Sequence, residues 1–153
     1  MTFENQTIVV TGAAGNLGRA VANNFHAAGA RVILVDVSQE FLDNQFPGED
    51  PRYTKVAVDL LNQDAVAASF AGIQAKYGGI DAVCAVAGGF HMGEPVHDTP
   101  GENWDLMYDL NVRTLLHSIQ AAVPHMIERG SGKIVTIGAN AALKGVPGMG
   151  SYC

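Results

Sequence analysis

The sequence has little of what marks several large protein classes. Only two cysteines occur, Cys84 and Cys153, too few and too far apart for a disulfide framework or a zinc site, so both are expected as free thiols. Basic residues number nine against 15 acidic ones, a net charge of −6. A phosphate backbone or an anionic membrane selects the opposite sign, so neither nucleic acid nor membrane is expected as partner. No apolar run approaches the length of a bilayer span, and the opening MTFENQTIVV lacks a basic flank before an apolar core. A cytoplasmic location is therefore expected. The five histidines, His26, His91, His97, His117 and His125, show no ligand spacing and no helical pair with a glutamate between, which predicts no metal.

What is present predicts a packed core. Hydrophobic residues make up 48% of the chain and charged ones 16%, without a long charge run, and that balance excludes disorder. A length of 153 residues fits a single domain, 1–153. Apolar runs rich in β-branched residues recur at Thr7–Thr11, Arg31–Val35, Tyr53–Val58, Ala82–Val86 and Lys133–Ile137 and predict buried strands. Between them, three sets share one helical face each: Leu17, Val21, Phe25 and Ala28; Val66, Phe70, Ile73 and Tyr77; and Leu115, Ile119, Ala122 and Met126. Thr99-Pro100-Gly101-Glu102 reads as a capping box opening the last of these helices, which Gly130 closes and Pro124 kinks. Alternating strands and helices predict an α/β fold, a doubly wound parallel sheet with right-handed crossovers.

The first strand ends in TGAAGNLG, which sets Gly12, Gly15 and Gly18 at a strand-to-helix turn. A pyrophosphate approaches a backbone only where side chains are absent, and a helix N-terminus offers it unpaired amides and a positive dipole end. Gly12, Gly15, Asn16, Leu17 and Gly18 are therefore candidates to bind a dinucleotide. The second strand runs into Asp36, 18 residues after Gly18. A carboxylate there accepts hydrogen bonds from both adenosine ribose hydroxyls and repels a 2′-phosphate, which selects NAD over NADP. Val37 supplies no compensating cation. Asp59 and Leu60 end the third strand, where ligand contacts gather; Asp59 either faces the adenine amino group or caps the next helix.

These residues resemble the short-chain dehydrogenase/reductase family, with its T-G-x-x-x-G-x-G turn, over essentially the whole chain. The resemblance implies a Rossmann fold with strand order 3-2-1-4-5, and a homo-oligomer, dimer or tetramer. Asp59 fits the family's adenine-pocket aspartate. Ala87-Gly88 fits the end of its N-N-A-G, with Ala85 and Val86 replacing the two asparagines. Asn111 falls where the family has its active-site asparagine, and Tyr152 fits the tyrosine of Tyr-x-x-x-Lys. The family serine aligns with Ala139, which has no hydroxyl. The family lysine would follow Cys153, as would the family's C-terminal strands, so these 153 residues alone are expected to have little activity, with KIVTI an exposed edge.

The implied reaction is NAD(H)-dependent hydride transfer to or from a small carbonyl or alcohol substrate, with Tyr152 and Asn111 as catalytic residues. A free tyrosine titrates near 10, so a tyrosine acting as base at neutral pH needs a nearby cation. The segments GANAALKGVPGM, VAGGF and Asp105-Leu106-Met107 also resemble dihydropteridine reductases, which lack the serine and reduce a conjugated substrate. From another class, the chain would be a dinucleotide-binding module without catalysis, since a fold alone confers no function.

Overall fold

The computed structural model describes residues 2–153. Five strands form one sheet: β1 (Thr7–Thr11), β2 (Arg31–Asp36), β3 (Tyr53–Ala57), β4 (Ala82–Ala85) and β5 (Lys133–Thr136). All neighbours pair parallel in the order β3-β2-β1-β4-β5. The β-branched runs thus lie within a residue of their expected ends. The helices are α1 (Asn16–Ala27), α2 (Gln39–Gln45), α3 (Gln63–Tyr77), α4 (Gly101–Tyr108) and α5 (Thr114–Glu128), with a π turn at Asp109–Arg113 joining the last two.

Residues that alternate along each strand feed two cores. Val9, Ile33, Val35 and Val83 meet Val66, Phe70 and Ile73 of α3 and Ala122 and Met126 of α5. Ile8, Val10, Val32, Leu34 and Cys84 pack on the other side with Ala22 of α1 and Leu42 of α2. A parallel sheet covered on both faces needs such continuous apolar strands. Phe70 is fully buried, and a side chain of that size contributes about 1.5–3 kcal/mol by leaving water. The two edge strands differ from the inner three: β3, beside β2, is only partly buried, and β5, beside β4, has Val135 half-exposed, so the expectation of buried strands gives way at both edges, and at β5 to that of an exposed edge.

Three helical expectations need correction. Thr99 does not cap α4: its hydroxyl donates to the carbonyls of Glu94 and Pro95, at 3.4 and 3.0 Å, and Pro100 holds the N-cap position. On α1 Gly18 and Ala22 are buried and the expected Val21 and Phe25 pack, partly buried, against the same core, whereas Leu17 is half-exposed. On α5 the buried face holds Thr114, His117 and Ser118 together with Ala122 and Met126, while Leu115 and Ile119 flank it. The hydroxyls remain buried at little cost because each bonds a carbonyl four residues back, Thr114 to Leu110 and Ser118 to Thr114, both at 2.8 Å. The chain stays helical through Pro124 to Glu128. Helix α2, capped by the Ser38 hydroxyl accepting from Phe41 N–H, has no counterpart among the three periodic patterns.

With β1 central, the chain winds to one side through β2 and β3 and to the other through β4 and β5. The reversal between β1 and β4 opens a crevice at the carboxyl ends of the strands, as in Rossmann-type sheets.

Candidate dinucleotide cleft and active site

At the end of β1 the backbone turns through Gly12 with φ +63°. A Cβ on Gly12 would stand 2.8 Å from Ala87 Cα, so the turn lies directly against the backbone leaving β4. A Cβ on Gly18 would run into the Gly12 carbonyl, which is why α1 can start so close beneath the turn. Gly15 is the N-cap of α1, and no side chain caps that helix. The amides of its first turn, which have no intrahelical acceptor, are therefore left without a side-chain cap as well and suit an anion.

Asp36 ends β2 with its carboxylate laid across this turn. Its Oδ2 accepts from Ala14 N–H and its Oδ1 from Val37 N–H, both at 2.9 Å. One backbone donor per oxygen fixes the orientation and leaves acceptor capacity on both. Asp59 Oδ1 accepts from Leu61 N–H at 2.9 Å, and the cap of α3 is Asn62, whose side chain accepts from Ala65 N–H. Of the two roles open to Asp59, that of helix cap thus belongs to its neighbour.

The ten residues expected around a dinucleotide, Gly12, Gly15, Asn16, Leu17, Gly18, Asp36, Asp59, Leu60, Ala87 and Gly88, all line one cavity of about 730 Å³. That volume is within the range of small-molecule and cofactor pockets. Its walls are mainly apolar, from Leu17, Val37, Phe41, Val58, Leu60 and Val86, with the Asp36 and Asp59 carboxylates set among them. The bare turn, the uncapped helix and an acid at the strand end together match the chemistry of a dinucleotide: phosphates, ribose hydroxyls and flat apolar rings.

A second cavity, of about 390 Å³, shares Val86, Ala87 and Gly88 with the first and contains both Asn111 and Tyr152. The Thr11 hydroxyl accepts from Val86 N–H and Ala87 N–H, each at 3.1 Å, so backbone groups pin this segment where Ala85 and Val86 carry no amide side chains. Asn111 sits in the π turn, a device that re-aims a side chain out of helical register. Its Oδ1 accepts from Gly89 N–H at 3.0 Å, and its Nδ2 donates to the Met107 carbonyl at 3.0 Å. A Cβ on Gly88 would come within 2.8 Å of that Oδ1. The Tyr152 ring meets Phe90 edge-to-face with centroids 4.9 Å apart, and Ala139 lines the same cavity.

Several lining residues escape the sequence pattern. Phe41 comes from the short α2, Leu110 from the π turn and Thr114 from the start of α5. Polar residues at helical spacing inside an apolar helix, Thr114, His117 and Ser118, are the available signal for that face.

Comparison with known proteins agrees with this geometry. The family model for short chain dehydrogenases matches residues 6–153. The 2-(R)-hydroxypropyl-CoM dehydrogenase of Xanthobacter autotrophicus is 32% identical over 154 residues, covering 97% of this chain and 62% of that protein. An NAD-dependent glycerol dehydrogenase of Listeria innocua is 30% identical over 149 residues, covering 97% and 58% respectively. The chain thus spans less than two thirds of the length of these relatives. Among solved structures, an NAD+-bound xylitol dehydrogenase has a TM-score of 0.92 at 27% identity, covering 99% of this chain and 60% of that one. A metagenomic short-chain oxidoreductase in complex with NADP has a TM-score of 0.88 at 30% identity, covering 99% and 70%. A family match over nearly every residue, on a sheet of this order with this glycine turn, makes the chain a member of the short-chain dehydrogenase/reductase family.

Proposed function

We propose that the protein is an NAD(H)-dependent oxidoreductase acting on a small carbonyl or alcohol substrate. The observation that carries this reading is the Asp36 carboxylate, fixed by Ala14 N–H at the edge of the glycine turn. A ribose with free hydroxyls satisfies that carboxylate, whereas a 2′-phosphate is repelled by it. Arg19 does not offset this, because its guanidinium donates to Gln45 Oε1 at 2.8 Å and does not line the cavity.

The α1 amides and the glycines bind the pyrophosphate in this reading, Asp36 the ribose, and the Asp59–Leu61 segment the adenine side. The bound nicotinamide supplies or accepts the hydride. Tyr152 carries the proton: its Oη donates to the oxygen that becomes anionic on reduction and takes the proton back in the reverse direction. Asn111 serves by position, since both ends of its amide are engaged with backbone, holding Gly89 against the π turn. Ala139 brings a methyl group, not a hydroxyl, to the cavity that Tyr152 lines, which favours, as a second reading, a conjugated substrate that needs less polarisation of a single carbonyl. A cytoplasmic setting and a small soluble substrate fit the acidic chain. Half-exposed Trp104, Tyr108, Val112 and Leu116, four residues apart along α4, the π turn and α5, support pairing between copies.

The test is NADH oxidation with a panel of carbonyl compounds and a quinonoid pterin, by the protein at its full natural length and by its Tyr152→Phe variant. The expected result is turnover that falls at least about a hundredfold in the variant, the scale of a lost general acid. Tight NADH binding without turnover on any substrate would leave the non-catalytic module as the function instead.

A further inference from the structure

His117 is buried in α5, yet it takes no part in the reaction proposed above. Its Nδ1 lies 2.8 Å from the carbonyl oxygen of Leu60, 57 residues away in sequence. A carbonyl oxygen only accepts, so Nδ1 carries the proton and donates. The peptide it holds belongs to the turn between β3 and α3, where Asp59, Leu60 and Leu61 form one wall of the larger cavity. Within that wall the Leu61 amide is taken by Asp59, and Asn62 N–H donates to the Asp59 carbonyl at 3.0 Å. The Leu60 carbonyl instead faces the helix. The helix is a firm anchor because it is docked on α3: Gln63 Nε2 donates to Gln120 Oε1 at 3.1 Å and Gln74 Nε2 to the Ala121 carbonyl at 3.2 Å.

We infer that His117 is a positioning residue for the adenosine half of the dinucleotide, its ring N–H holding the Leu60 peptide and hence the Asp59–Leu61 wall in place. The inference rests on the dinucleotide reading of the cavity. It assigns the two lips of the crevice to one helical run, with Asn111 holding Gly89 on the Tyr152 side and His117 holding Leu60 on the Asp59 side. A loosened wall costs affinity only for ligands that reach it.

The experiment titrates NADH and reduced nicotinamide mononucleotide, which lacks adenosine, into the protein and its His117→Leu, His117→Asn and His117→Gln variants. Asparagine carries its N–H two bonds from Cβ, as Nδ1 does, whereas glutamine carries it one bond farther out. His117→Leu and His117→Gln are expected to bind NADH about tenfold more weakly, the scale of one lost buried hydrogen bond, with mononucleotide affinity unchanged. His117→Asn is expected to stay within about twofold of the parent. Equal losses for both ligands, no loss in the leucine and glutamine variants, or an asparagine variant as weak as the glutamine one would overturn the inference. The asparagine–glutamine contrast decides the matter if the leucine variant does not fold. A parent protein that binds neither ligand would sink the dinucleotide reading itself.

Discussion

Replacing Gly12 by alanine acts on the tightest backbone contact of the cleft. The residue has φ +63°, where an L side chain costs about 1–2 kcal/mol. The added methyl would stand 2.8 Å from Ala87 Cα and 2.9 Å from Ala87 N, both backbone atoms, so no flexible side chain can yield. Overpacking of this kind adds about 1–3 kcal/mol, for a total loss of roughly 2–5 kcal/mol. That is a large share of the roughly 5–15 kcal/mol that keeps a domain folded. Gly72 is the control: it lies in α3 with nothing within 4 Å of the place a Cβ would take, and alanine there should gain about 0.5–1 kcal/mol from helix propensity. Urea unfolding at unchanged slope measures both. A Gly12→Ala loss below about 1 kcal/mol, or a comparable loss at Gly72, would refute the claim that β1 and β4 meet at this turn without room for a side chain.

Two further outcomes follow from the charges and thiols. The Asp50 carboxyl titrates below its ordinary value of 3.8, first because Arg52 N–H donates to it and further because His26 lies beside it. Its contribution is thus present above about pH 4 and fades as the pH falls through the lowered value, so Asp50→Asn should flatten the acid limb of the stability curve; an unchanged acid limb would count against the contact. Cys84 is buried in the sheet, which pushes its thiol up from 9.0, while Cys153 is exposed. A thiol reagent should modify one cysteine rapidly in the native protein and the second only on unfolding; two rapid modifications would place Cys84 outside the core.

Much of this architecture is legible before folding because strand and helix periods differ. The five β-branched runs could hardly be anything else, and a glycine turn between a strand and a helix points to a phosphate site by geometry alone. The acid that ends β2 is readable for the same reason, since its place follows from the strand's end. Patterns fail where polar groups are satisfied by partners remote in sequence or hidden in the backbone. His117 is buried because of the Leu60 carbonyl, and Thr114 and Ser118 because of carbonyls one turn back, so an apolar count selects Leu115 and Ile119 instead. Thr99 matches a capping box in letters, but the turn before Pro100 takes its hydroxyl. The π turn at Asp109–Arg113, which re-aims Asn111, breaks the 3.6-residue period that any helical pattern assumes.

The central claim is that the cavity between the Gly12–Gly18 turn and Asp36 receives the ribose of NAD(H). Titration of NADH and NADPH, followed by cofactor fluorescence, tests it most directly. Two hydrogen bonds to a carboxylate gained by the one, and charge repulsion suffered by the other, predict a preference for NADH of at least about tenfold, shrinking in Asp36→Ala. Equal affinities, or tighter binding of NADPH, would contradict the account.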